Sequence, residues 1–133
     1  MPDAARISVQ LGIHPLFGLL ILPVEIGTAT LWMFISGSPV SGIAPQRWAD
    51  LFAQEHLIYP GTARALHSLD HVTVAGAPVP RFQMRRSQRA GRFRLDGELG
   101  LNFFQLFPEA CFHMPAQPDD AVLLTLQLPG TPR

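Results

Sequence analysis

Apolar residues in this chain fall into short runs, separated by turn-forming residues rather than spread along helical stripes. Val72, Val74 and Val79 alternate with polar or small neighbours around Gly76, the period-two pattern of a strand with one buried face. The segment from His71 to Met84 therefore reads as a hairpin. The same reading predicts strands over Arg6 to Leu11, Phe17 to Ile26, Thr28 to Ile35, His71 to Val74, Val79 to Met84, Gly91 to Leu95 and Val122 to Leu128. Two stretches read as helices. In Pro45 to Gln54 a proline suits the first turn and Trp48, Leu51 and Phe52 share a face; Leu101 to Phe107 is a shorter run that Pro108 stops. The pattern predicts an all-β domain with one or two short helices. No fixed-period repeat is present, and the one polar, proline-containing linker runs from Met114 to Asp120.

Composition narrows this picture. A chain of 133 residues, 47% hydrophobic and 15% charged, suits a single packed domain over 1–133. The 11 glycines and 13 prolines supply the many turns that short strands need. Ten basic residues, all arginine, balance ten acidic ones, so no global field draws the molecule to nucleic acid or an anionic membrane. Cys111 is the only cysteine, which excludes an intrachain disulfide and a cysteine-based zinc cluster and makes a reducing, cytoplasmic setting the simpler expectation. The apolar run from Pro15 to Leu22 is far shorter than the ~20 residues of a membrane-spanning helix. Pro23, Val24 and Glu25 follow it, where a secretory signal would place small cleavage-site residues.

The most informative stretch is the apolar strand Thr30-Leu31-Trp32-Met33-Phe34, which enters Ile35-Ser36-Gly37-Ser38 and then Val40-Ser41-Gly42-Ile43-Ala44-Pro45. Downstream, Asp96-Gly97-Glu98-Leu99-Gly100-Leu101-Asn102-Phe103-Phe104 places a glycine between apolar residues at the start of a short helix. In this order the two segments resemble the active-site loop and the later hydrophobic-Gly motif of retropepsin-like aspartic proteases, and the resemblance spans about residues 17 to 128. It implies a closed β-barrel, a flap hairpin at Ala75-Gly76-Ala77 and a closing strand near Ala121 to Leu128. It also implies a two-fold pairing that brings two catalytic loops together, so that their aspartates share a proton and activate water. Here Ile35 occupies the position of that aspartate. An alkyl group can neither take a proton nor hold water, so the resemblance implies a catalytically inactive relative that works as a homodimer or as a subunit of a larger assembly, with no cofactor. An active peptidase whose catalytic residue lies elsewhere is the alternative. Asn102 stands where the family often has an acidic residue. Leu31, Trp32, Phe34, Phe103, Phe104 and Phe107 are expected to add an exposed apolar surface to the paired face.

Other constellations compete with this reading. Ser38 and Ser41 lack the Gly-x-Ser-x-Gly context of a hydrolase elbow. Cys111 and His113 are expected on opposite faces of a strand, leaving Cys111 as a buried structural thiol. His67 and His71, with Asp70 between them, have the spacing of two zinc ligands on a helix, but they lead into a predicted strand and no third ligand is evident, so metal binding is disfavoured. Arg81, Arg85, Arg86, Arg89, Arg92 and Arg94 form the densest charge cluster, interleaved with Phe82 and Phe93. Most simply they are solvated and pair with Asp96 and Glu98. Arg85, Arg86 and Arg89 could instead hold an anionic partner, an acidic protein surface or nucleic acid, of which nucleic acid is disfavoured by the neutral net charge.

Overall fold

The computed structural model describes residues 6–53, 58–60, 67–69, 71–117 and 120–129. Strands dominate, with three short helices among the described residues. The first strand, β1 (Arg6–Ile13), pairs along most of its length with the last, β12 (Val122–Gln127), in the register Ile7↔Leu126, Val9↔Leu124 and Leu11↔Val122. Alternate residues of both strands point inward, which buries Leu11, Val122, Leu124 and Leu126. The end of β1 then pairs with β2 (Leu20–Ile26), and β2 with β3 (Ala29–Ile35), through a turn at Gly27, whose φ of 59° favours glycine.

Beyond β3 the path becomes mixed. The strand β10 (Gly97–Leu99) lies parallel to β3 and antiparallel to β4 (Ser41–Ile43), and β4 lies parallel to β9 (Phe82–Arg86). Outside β9 come β6 (His67–Leu69) and β5 (Ile58–Pro60), while β11 (Glu109–His113) flanks β12 at the other end. The strands thus follow one continuous path from β11 to β5, the all-β architecture that the sequence predicts.

Helix α1 (Pro45–Ala53) follows β4 and buries Trp48 and Leu51, as the spacing predicted; the side chain of Phe52 lies outside the described residues. The large core gathers Leu22, Val24, Leu31, Met33 and Leu99 from the sheet and Phe103 from the short helix that follows β10. A second, smaller core lies across β3, where Phe34 packs with Ala44, Ala90 and Leu95. It forms because Gln88–Arg92 is a helix, α2, and not part of the strand predicted over Gly91 to Leu95. Ser87 caps this helix by accepting a 3.2 Å hydrogen bond from the Ala90 N–H, which lets Ala90 sit on Phe34.

The predicted hairpin from His71 to Met84 is shorter than expected. β7 (Val72–Val74) and β8 (Ala77–Pro78) form it around Ala75 and Gly76, whose φ values of 50° and 81° are those of a primed turn. Past Pro80 the chain leaves for β9, which pairs with β4 and β6 instead. Helix α3 (Leu101–Phe104) is a single turn, shorter than the Leu101 to Phe107 predicted.

Candidate functional site

Parallel pairing of β10 with β3 is what brings the two sequence motifs together. Leu99 stands in register with Ile35, and the Ser36 N–H donates to the Leu99 carbonyl at 2.9 Å. Past these strands the loops remain bonded: the Leu101 N–H donates to the Ser38 carbonyl at 2.8 Å and the Asn102 N–H to that of Pro39 at 3.1 Å. Gly100 is required at this crossing. A Cβ there would meet the backbone of Val40 at 2.9 Å, closer than side chains approach.

Asn102 locks the same crossing from its side chain. Its Oδ1 accepts from the Ser41 N–H and hydroxyl, both at 2.8 Å, while its Nδ2 donates to the Gln83 carbonyl at 2.6 Å. The fully buried Ser41 in turn accepts from the Gly100 N–H at 2.9 Å. Ser41 is thus a structural hydroxyl whose bonds all run to the motif around it.

Ile35 ends β3 half-buried, packed against the large core, and Gly37 is exposed. Beneath this loop lies a carboxylate that the sequence places in the downstream motif and gives no role beyond pairing with arginine. Glu98 is buried on β10, where its Oε1 accepts from Ser36 at 3.0 Å and from Arg89 at 2.8 Å, and its Oε2 from Ser87 at 2.5 Å. Burial pushes the Glu98 carboxyl up, but the hydrogen bonds from Arg89, Ser87, Ser36 and Ser38 outweigh it and hold the group below its ordinary value, ionised. Arg89 is raised by the same bond and by the Glu98 charge. It also donates to Ser38 Oγ at 2.7 Å, so one guanidinium ties the loop to the buried carboxylate. A signal was available in the sequence, since Glu98 is the one acidic residue at an otherwise apolar strand position next to Leu99.

Asp96 behaves differently from expectation. Rather than pairing with the arginine run, it accepts from Arg47 Nε at 2.9 Å and from the Trp32 N–H at 2.8 Å. Arg85, Arg86 and Arg89 converge beside Ser38, Ser87, Gln88 and Glu98 around a cleft of about 360 Å³.

Several sequence-derived residues are not brought to the loop. The turn at Ala75-Gly76-Ala77 belongs to a hairpin that pairs through Val72↔Ile26, next to Ala29. Ala29 and Ile35 are opposite ends of β3, about 20 Å apart at the rise of a strand, so this turn does not reach the loop as a flap there would. The expected apolar surface is also largely internal. Leu31, Phe34, Phe103 and Phe107 are buried and Phe104 is half-buried, leaving Trp32 as the exposed member. Two cores, not one, absorb these rings. Cys111 and His113 are two positions apart on β11 and hence on the same face, contrary to expectation; Cys111 is half-buried, with Sγ 3.6 Å from Glu109 Oε1. His67 packs edge-on against Trp48, and Asp70 lies outside the described residues. Among the described residues no three His, Cys, Asp or Glu side chains gather where a metal could bind, and no helix is long and apolar enough to cross a membrane.

No protein-family model matches this sequence, and no curated protein matches it. Its fold, however, is similar to that in the crystal structure of a retropepsin-like aspartic protease from Rickettsia conorii, with a TM-score of 0.63 over 94% of this chain and 95% of the other. The two sequences are 12% identical over that match, so the likeness is one of fold.

Proposed function

We propose that this retropepsin-like domain does not cleave peptides and works by association, pairing with itself or joining a larger assembly through the end of the molecule that carries Ile35. The observation that carries this reading is the chemistry at the meeting of the two motifs. Ile35 stands where the fold's strand delivers its loop, and the nearby buried carboxylate, Glu98, has its oxygens taken by Ser36, Ser87 and Arg89. A carboxylate held ionised and saturated with donors is a poor base, and among the described residues its bonded partners are hydroxyls and a guanidinium, not a second acid that could share a proton. The reading of an active peptidase with its catalytic residue elsewhere gains nothing from Asp96, which is bound to Arg47 and Trp32.

Association finds its support at the same end. One step past the pair Ile21↔Phe34, Leu20 and Ile35 stand side by side, and Ile13 pairs with Leu20. Ile13 and Leu101 are about half exposed, at 53% and 49%, so an apolar rim surrounds the loop without the charge a catalytic aspartate would place there. Sedimentation of the purified protein at micromolar concentration tests the reading. A dimer or larger species is expected, and Ile35→Arg is expected to dissociate it by burying a charge at the contact. A monomer unaffected by that substitution would overturn it.

A further inference from the structure

Arg85 and Arg86 end β9, and Arg89 lies one short turn later in α2, so three guanidinium groups border one cleft of about 360 Å³. Each is held differently. Arg89 is fixed by Glu98 and Ser38, as described above. Arg86 lies over the Trp48 ring at 5.3 Å, a stacking that orients its plane without using its N–H donors. Arg85 is exposed and makes no ion pair among the described residues. Three arginines against the single Glu98 carboxylate leave the cleft with a formal excess of two positive charges, on a molecule whose net charge is zero.

We propose that this cleft binds the side-chain carboxylates of an acidic peptide segment from a partner protein. Guanidinium forks match carboxylates two bonds at a time, a role open to Arg85 and Arg86, while Arg89, tied to Glu98 and Ser38, adds its charge. Nucleic acid fits the cleft less well. The phenylalanines that interleave with the arginines in sequence offer no face for a base: Phe82 is buried against Phe103 at 5.4 Å between centroids, and Phe93 packs on Phe34 and Phe17 at 5.3 and 4.8 Å. Free inorganic phosphate, close to a dianion at neutral pH, is opposed by Glu98 within the cleft more strongly than a singly charged carboxylate is. The proposal rests on the associative reading above and names the chemistry of a partner at the same end of the molecule, Ser38 being common to the loop and the cleft.

Fluorescence anisotropy with a labelled Glu-rich peptide provides the test, beside a Gln-rich peptide of equal length, single-stranded RNA, and inorganic phosphate as competitor. The acidic peptide is expected to bind in a salt-sensitive manner and the neutral one not to bind. The double substitution Arg85→Gln with Arg86→Gln is expected to weaken binding about tenfold or more, with Arg85→Gln alone as the milder probe should the double variant lose its circular dichroism. Absence of acidic-peptide binding at low salt, equal binding by the arginine variants, or tighter binding of RNA or phosphate than of the peptide would each overturn the proposal. Sedimentation keeps the two claims separate. The arginine variants should still self-associate, whereas Ile35→Arg should lose self-association and keep the peptide.

Discussion

Glu98 controls more of the site than any other single residue, because three side chains, Ser36, Ser87 and Arg89, donate to its carboxylate. Removing Arg89 leaves that carboxylate buried with one cationic partner fewer, so Arg89→Ala is expected to cost about 2–3 kcal/mol in denaturant unfolding, at the lower end of buried-pair losses because Arg89 is itself half exposed. The pH dependence has a definite sign. A carboxyl held below its ordinary value of 4.5 stabilises the folded state above that pH, and the contribution disappears as pH falls through the lower folded value. Stability should therefore decline in acid below about pH 4.5. Glu98→Gln should flatten this decline, which thermal melts from neutral to acid pH would show; an unchanged acid limb would remove Glu98 from its cause. At position 35 the question is whether a carboxylate can be tolerated. Ile35 is half-buried at the rim of the core, so Ile35→Asp is expected to fold with its melting point lowered, the new carboxyl drawn towards its protonated form. Complete loss of circular dichroism would show Ile35 to be a core residue first.

Between elements, the crossing of the β3 loop with the β10 loop is held by hydrogen bonds that leave no slack. Asn102→Ala should free the Ser41 N–H and the Gln83 carbonyl together and cost about 1–2 kcal/mol, measurable by urea titration. How far this level was legible depended on what each element packs against. Strands β1 and β12 were legible because alternate residues face one core, and β2 and β3 because they are long apolar runs that lie between two cores. Strands β4 and β10 have three residues each and are buried throughout, so no alternation marks them. The segment Gly91 to Leu95 imitated a strand because arginine and apolar residues alternate in it. The Ser87 cap and the second core made helix there instead, and Ser87 is a cue that the alternation concealed. Both motifs of the candidate site were visible as sequence. That Glu98 lies beneath them was not, since it follows from the parallel register of β10 on β3, a pairing between segments far apart in the chain.

For the whole molecule, the central claim is that a retropepsin-like domain persists here without peptidase chemistry. The fold needs Gly100, Asn102, Ser41 and the parallel β3–β10 pair, and none of these contacts uses the side chain at position 35. These scaffold contacts are thus independent of the side chain at position 35, as the proposed loss of peptidase chemistry requires. The most direct measurement is cleavage of denatured casein by the purified protein from pH 3 to 7, which overlaps the window in which paired carboxylates share a proton, about pH 1.5 to 4.7 in the best-known pair. No cleavage above the buffer background is expected at any pH, with or without pepstatin. Pepstatin-sensitive cleavage by the unaltered chain would contradict the claim.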